Sequence, residues 1–336
     1  MLVFDSRWVG KTGIGRFAYE ISNRFEGFRN YTSQTSPVSP FDPFRLSIDK
    51  KIMEGDLFFS PGYNAPIFSK NIPYIFTIHD LNHIDRPENS SFLKKIYYNT
   101  VLRKLCKGAL AIFTVSEFSK NRIVDYFNVS SSKVFVIGNG VSEVFCSNGN
   151  KSNVGYPYLF CVSNRKGHKN ELALIKSFAL SKASEHTKLL FSGELTDELN
   201  KLLLNMKIKN KVEFVGKISD VELAEYYRGA LFSIFPSLYE GFGLPIVESF
   251  ACDTPVITSN ITSMPEISGD AALLVNPYDK EDLSKAIDLL YSDSNLRESL
   301  IKKGRERAKL YTWDSVHVNI ENAFSALGYG DLLGKK

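Results

Sequence analysis

Short apolar runs alternate with amphipathic stretches along the whole chain. Runs at 1–4, 56–60, 74–78, 109–115 and 133–137 have the length and uninterrupted apolar character of buried strands. Helical periodicity fits between them near 15–26, 91–107 and 117–127. A second series opens at 154–162, with strands near 188–192, 212–215, 231–235, 255–258 and 273–275. Its helices fall near 169–182, 196–206, 219–229, 245–252, 279–291 and 294–309, and a last helix is expected over 313–327. Strands without a polar alternate face, separated by helices, predict parallel sheets covered on both sides. The polar, turn-rich stretch CSNGNKSN from Cys146 to Asn153 separates the two series. The pattern therefore predicts an α/β protein of two doubly wound domains, 1–150 and 151–312, with a cleft between them. At 336 residues the chain also exceeds the about 250–300 that one hydrophobic core supports.

Composition narrows the class. Hydrophobic content of 43% and charged content of 23% describe an ordinary globular chain. No apolar run approaches the roughly 18 residues that span a bilayer. Residues 1–25 carry Asp5, Arg7, Lys11, Arg16 and Glu20, too many charges for the core of a signal peptide, so a cytoplasmic location is expected. The four cysteines lie far apart with no C-x-x-C spacing, which argues against a zinc site or a disulfide framework.

The net charge of +4 is unevenly placed: residues 1–150 hold 18 Lys and Arg against 13 Asp and Glu. Part of this excess gathers in 92–107, FLKKIYYNTVLRKLCK. As one helix, this places Phe92, Ile96, Tyr97, Val101, Leu102 and Leu105 on one side, with Lys94, Lys95, Arg103, Lys104 and Lys107 around the rest. Two readings stand: a core-packed helix with a solvated charged face, or a peripheral helix on the anionic inner face of a membrane. No nucleic-acid recognition motif accompanies the charge, so nucleic acid is not an expected partner.

Candidate chemistry concentrates in FPSLYEGFGLPIVE, Phe235 to Glu248. A buried strand leads into Gly241 and Gly243, which let the backbone turn close to a ligand, and Pro245 suits the first turn of a helix. Such a strand–turn–helix presents free amides and a positive helix end to an anion. Glu240 stands just before the turn and Glu248 about one turn inside the helix, placed to grip a polyol on either side of a phosphate.

From Pro236 to Glu266 the chain resembles the family-4 retaining glycosyltransferases of the GT-B fold. It shows their E-x7-E signature, then ACDTPVI at 251–257 like their next strand entry, then SMPE at 263–266 like their S-x-x-P-E turn. Asp253 replaces the family's usual glycine. The resemblance implies two Rossmann-like domains facing a central cleft, the first binding the acceptor and the second a nucleotide sugar. It also implies that 313–336 forms a helix crossing back to the first domain. Glu248 would hold ribose hydroxyls and Glu240 those of the transferred sugar, with the diphosphate over Gly241, Phe242, Gly243 and Leu244.

Three further segments fit the same resemblance. GIGRFA at 13–18 satisfies G-x-G-x-x-A, yet its glycines do not follow the strand directly as a dinucleotide fingerprint requires. In related glycosyltransferases this loop lies over the donor phosphates and the acceptor, which assigns Gly13 and Gly15 to the donor and Arg16, with Arg7 and Trp8, to the acceptor side. His79 follows the strand 74–78 and is similar to the family's active-site histidine; a structurally satisfied histidine is the plainer reading. The cluster His79, Asp80, His83 and Asp85 invites a metal, but Asn82 and Pro87 favour a loop over the helix that paired histidines need, so no metal is expected. The loop SNRKGHKN at 163–170 places Lys169 at the family's lysine, while Asn164 occupies its arginine position and leaves Arg165 or Lys166 to substitute.

The implied function is metal- and cofactor-independent hexosyl transfer with retention, from a nucleotide sugar to a lipid-linked oligosaccharide. The pattern is most similar to bacterial O-antigen or capsule mannosyltransferases, with GDP-mannose as the leading donor and UDP-hexoses or deoxy-sugar nucleotides also open. A GT-B sugar-nucleotide epimerase, a non-catalytic sugar-nucleotide binder and a nicotinamide dehydrogenase are the competing classes.

Overall fold

The computed structural model describes residues 1–10, 13–68 and 71–335, which divide into two compact units. Unit 1 comprises Met1–Gly140 and Trp313–Lys336; unit 2 comprises Val141–Thr312. Unit 1 holds a parallel six-stranded sheet of β1 (Leu2–Asp5), β2 (Phe28–Tyr31), β3 (Leu57–Ser60), β4 (Tyr74–Thr77), β5 (Ala111–Thr114) and β6 (Val134–Val136), in the order β2-β1-β3-β4-β5-β6. Unit 2 repeats the plan with β7 (Tyr158–Cys161), β8 (Lys188–Phe191), β9 (Val212–Phe214), β10 (Phe232–Phe235), β11 (Val256–Ser259) and β12 (Ala272–Val275), ordered β9-β8-β7-β10-β11-β12. Every residue of β1, β3, β4, β5, β7, β10 and β11 is buried, as strands sandwiched between helices must be.

In such sheets ligands bind beyond the carboxyl ends of the strands, where the strand order reverses. Unit 1 reverses between β1 and β3, and unit 2 between β7 and β10.

Local chemistry sets the helix ends. Ser116 caps the helix Glu117–Phe127 by accepting from the Ser119 amide, and Asn128 closes it in the left-handed region at φ 52°. Ser219 and Glu222 form a reciprocal capping box on Asp220–Gly229. Asp253 sits at φ 56°, a conformation that suits the glycine usual there, and its carboxylate receives Arg305 Nε at 2.6 Å and Nη2 at 2.7 Å.

Three expectations need correction. The first unit ends at Gly140 and not at 150, because 141–153 packs on unit 2. Phe145 joins the cluster of Tyr158, Phe160 and Tyr227; Arg228 donates to the carbonyls of Asn150 and Cys146; and the Ser152 amide donates to Glu225 O at 2.9 Å. The strand Phe28–Tyr31 is absent from the apolar pattern because it forms an edge, where only Tyr31 is buried.

The basic helix does not present one continuous apolar side. It runs as α-helix over Phe92–Tyr97, as a π turn over Tyr98–Leu102 and as α-helix again over Arg103–Gly108. A π turn inserts a residue and rotates the first helical segment out of phase with the second. Leu102, Leu105 and Cys106 are consequently buried, while Phe92 is 76% exposed and Ile96 43%.

The helix Trp313–Ala326 belongs to the core of unit 1. Trp313, Val316, Ile320, Ala323 and Phe324 pack with Phe17, Phe59 and Phe113, and the Phe324 ring lies 5.9 Å from Phe59 and 6.0 Å from Phe113.

The packing of 141–153 generates a test. A Cβ on Gly229 would stand 2.4 Å from Ser152 O and 2.4 Å from the Tyr158 hydroxyl. Although alanine favours helices over glycine, Gly229→Ala should destabilise unit 2 by about 1–3 kcal/mol, the usual cost of overpacking. It should also speed proteolysis within 146–153. Unchanged urea unfolding and cleavage rates would show that this segment is not held against the unit.

Candidate active site

In unit 2 the strand-order reversal gathers the two loops that carry the charged motif residues. After β7 the chain forms a single 3-10 turn, Gly167–Lys169, before the helix Glu171–Leu180; after β10 it passes through Glu240 and the glycine turn into the helix Leu244–Ala251. The loops are joined along their backbones: the Leu238 amide donates to His168 O at 2.7 Å, and Ser237 Oγ lies 3.0 Å from the same carbonyl. Asn170, in the left-handed region at φ 63°, donates to the carbonyls of Pro236 at 3.1 Å and Pro277 at 2.8 Å.

This frame brings Lys169 Nζ within 2.8 Å of Glu240 Oε1, which also accepts from Ser237 Oγ at 2.7 Å. The lysine ammonium lies 4.7 Å from the centre of the Phe235 ring. The side chains of Lys169 and Glu240 are 13% and 15% exposed, shielded enough for their attraction to hold in salt.

The glycine turn is fixed from below. Ser263 Oγ lies 3.0 Å from Glu240 O and 2.9 Å from Phe242 O, and the Glu240 amide donates to Thr262 Oγ1. Phe242 is buried, edge-on to Tyr311 at 5.4 Å. Gly243 then adopts φ 103°, and no side chain caps the helix that Leu244 and Pro245 begin. Pro245 has no amide proton and the Ile246 amide donates to Gly243 O at 3.0 Å, so the Gly243 and Leu244 amides are those a bound anion can engage. Glu248, one turn in, is buried and accepts from the Tyr227 hydroxyl at 3.2 Å. Burial and the neighbouring Glu248 charge push the Tyr227 phenol well above its ordinary pKa, so it stays protonated and donates.

Arg165 does not join this group. In the left-handed region at φ 64°, its guanidinium binds Glu171, Ser192 O and Glu194 O and lies over Phe191 and Phe214. Lys166 is exposed, with no ion-pair partner among the described residues. Ser237, Ser263, Tyr227 and Asn170 were not among the expected site residues; Ser237, Ser263 and Asn170 lie inside the motif segments 235–248, 263–266 and 163–170, whereas Tyr227 lies in none.

The reversal in unit 1 is filled by side chains. All five N–H donors of Arg7 are engaged: Nε with Asp5 Oδ1 at 2.7 Å, Nη2 with Asp5 Oδ2 at 2.7 Å and Asp42 Oδ2 at 2.9 Å, and Nη1 with Asp42 Oδ1 at 2.7 Å and Thr35 Oγ1 at 2.9 Å. Trp8 is 7% exposed and donates to Asn64 Oδ1 at 2.7 Å, and a Cβ on Gly62 would meet its ring at 2.3 Å. Arg7 and Trp8 thus have no group to offer an acceptor, contrary to the sequence expectation. They hold the loop after β3 in place, and removing any one partner would leave a buried charge uncompensated.

Gly15 is buried against the backbone of Gly10, whose O a Cβ would approach to 2.6 Å, whereas Gly13 is exposed at the helix start. With the end of β1 filled and Gly15 packed on the Gly10 backbone, the described residues of unit 1 do not form the strand–glycine turn of a dinucleotide site. Arg16 is half-buried on the same helix.

His79 follows β4, and its Nε2 lies 3.1 Å from Pro61 O, on the loop that Trp8 and Asn64 brace. A carbonyl only accepts, so Nε2 carries the proton and a neutral ring leaves Nδ1 an acceptor. Phe17 packs edge-on at 4.9 Å. Burial lowers the His79 pKa below the ordinary imidazole value, against the upward pull of the Pro61 hydrogen bond and of Asp80. The neighbouring acidic and imidazole groups partner elsewhere: Asp80 accepts from the Asn82 amide, His83 Nδ1 bonds Asn89 O and Asp85 pairs with Arg122. Among the described residues no three His, Cys, Asp or Glu side chains lie together as a metal site.

Two doubly wound units, one carrying a Lys–Glu pair beside a glycine turn at the strand-order reversal, define the class of GT-B nucleotide-sugar enzymes. The chain belongs to the family-4 glycosyltransferases: residues 38–144 match Glycosyltransferase Family 4 and residues 146–307 match Glycosyl transferases group 1. It is 27% identical over 267 residues to O-antigen chain mannosyltransferase B of Escherichia coli, covering 75% of this chain and 70% of that one. It is 34% identical over 215 residues to O-antigen chain mannosyltransferase RfbU of Salmonella typhimurium, covering 63% and 59%. Sucrose-phosphate synthase from Thermosynechococcus elongatus superposes with a TM-score of 0.78 at 18% identity, over 97% of this chain and 98% of that one.

The state of His79 generates a test. Its folded pKa lies below its unfolded value, so its contribution to stability is full above the unfolded pKa and is lost as pH falls through the folded one. Both tryptophans lie in unit 1, so their fluorescence reports that unit alone. Its urea midpoint should fall on acidification below about pH 6.5, the ordinary histidine pKa, and His79→Gln should flatten that slope. An equal slope in the two proteins would show that His79 titrates normally.

Proposed function

We propose that this protein is a retaining hexosyltransferase that moves mannose from GDP-mannose to a lipid-linked oligosaccharide in bacterial surface-polysaccharide assembly. The reading rests above all on the Lys169–Glu240–Ser237 contact beside an uncapped helix start at the strand-order reversal of unit 2. The two O-antigen mannosyltransferase relatives supply the sugar and the O-antigen context.

The donor diphosphate lies against the helix start after Gly243, with Lys169 and Lys166 supplying positive charge. Protein cations and a helix dipole then stabilise the departing diphosphate, so no divalent ion is assigned to the step. Glu248 receives the ribose hydroxyls, held in place by Tyr227. Glu240 receives hydroxyls of the transferred sugar and acts as a positioning residue. In unit 1, His79 offers Nδ1 as an acceptor for a sugar hydroxyl.

Transfer proceeds on one face of the sugar. The bond from C1 to the phosphate oxygen breaks, the bond from C1 to the acceptor oxygen forms, and the acceptor's proton passes to the leaving phosphate oxygen. No separate general base is required. No helix among the described residues is long and apolar enough to cross a membrane. Contact with a lipid-linked acceptor is therefore assigned to the basic segment 92–107 at the inner membrane face.

Thermal shifts test the donor assignment. A ligand held at 100 times its Kd adds about 2.7 kcal/mol of stability, so GDP-mannose should raise Tm clearly, equally with and without Mg2+. Glu248→Ala should abolish the shift, and Lys169→Ala should reduce it. A response to UDP-sugars alone would overturn the donor base; one to NAD alone, or to no nucleotide, would overturn the reading.

A further inference from the structure

Unit 1 contains a cavity of about 220 Å³ lined by none of the residues assigned to the donor or the transferred sugar. Its wall combines Val38, Leu93 and Tyr97 with Tyr63, His83 and Tyr98, and Lys94 stands at its edge. Tyr98 is only 8% exposed, yet its hydroxyl has no hydrogen-bond partner among the described residues, and neither do those of Tyr63 and Tyr97. Burial raises the pKa of all three phenols, so each remains a protonated donor. None of the three hydroxyls is sealed from solvent, so each is open to donate to a ligand oxygen that enters the cavity.

The surroundings indicate an amphipathic ligand. Lys94 has no carboxylate partner among the described residues and lies 3.5 Å from His83 Nδ1. Beside it, Phe92 and Leu93 are each 76% exposed at the start of the helix, and Val38 across the cavity is 59% exposed. The π turn begins at Tyr98, and it is this turn that frees Phe92 and Ile96 from the core and sets Tyr97 and Tyr98 at the cavity.

We propose that the cavity binds the phosphate end of a single-chain lipid phosphate, the carrier of the acceptor. The first carbons of the chain lie against Val38, Leu93 and Tyr97, and the phosphate oxygens accept from Lys94 and the Tyr98 hydroxyl. The site rests on the reading that the acceptor is lipid-linked, and it replaces a general attraction to membrane with one defined pocket.

Calorimetric titration with farnesyl phosphate below its micellar concentration tests this, with inorganic phosphate, farnesol and anionic phosphatidylglycerol vesicles as comparison probes. Wild type should bind farnesyl phosphate at one site, and Lys94→Glu and Leu93→Asp, both at exposed positions, should each weaken binding at least tenfold. Tyr98→Phe, which removes only the hydroxyl, should weaken it several-fold. Inorganic phosphate should not displace the probe, and farnesol should bind more weakly.

Undiminished binding in the variants, full competition by inorganic phosphate, or binding to vesicles without binding to the soluble probe would each overturn the site. GDP-mannose shifts measured on the same variants separate the two readings. Farnesyl phosphate binding without a nucleotide response would keep the cavity and sink the transferase assignment, and the reverse pattern would sink the cavity alone.

Discussion

Both six-stranded sheets are parallel throughout, and this constraint organises the rest of the molecule. Parallel strands send every carboxyl end to the same edge, so all loops leaving those ends crowd one rim of each unit. Where the strand order reverses, neighbouring loops diverge and leave room for side chains. Unit 2 uses that room for charged groups on loops that are hydrogen-bonded to each other, with Lys169 and Glu240 held between His168, Ser237 and Phe235. Unit 1 fills the equivalent room with its own Arg7, Asp5, Asp42, Asn64 and Trp8. The same topological device thus serves binding in one unit and rigidity in the other.

That rigidity has a direction. The loop after β3 carries Asn64, which receives Trp8, and Pro61, which receives His79. The carbonyl that sets the histidine's tautomer thus belongs to the same loop that the buried network braces. Sequence places Arg7 and Trp8 near a ligand only because they follow a strand. What decides their role is the count of donors and acceptors around them, and Asp42 and Asn64 are too distant in the chain to be paired with them by spacing.

Most of the secondary structure was legible because it depends on local periodicity and capping. Pro245 marks a helix start, and the uninterrupted apolar runs mark central strands. Phe28–Tyr31 lacked a signal because an edge strand buries little. The phase break at Tyr98–Leu102 lacked one because helical periodicity assumes a constant turn. At the site, Glu240, Glu248 and Lys169 stood out by residue type and motif. Ser237, Tyr227 and Asn170 did not, since their contribution is a single hydroxyl or amide aimed across loops that meet only in the folded unit. Arg165 and Lys166 show the converse: two adjacent cations look equivalent in sequence, and a positive φ turns one toward Glu171.

Unit 1 is assembled from two separated stretches of chain, and the whole of unit 2 is made between them. On the ribosome, Val141–Thr312 is therefore complete before the helix that covers Phe59 and Phe113 has emerged. Until then the first unit exposes an aromatic face to solvent, the kind of surface that recruits chaperones or aggregates. Order of synthesis and order of completion are thus inverted: the first unit translated is the last one finished.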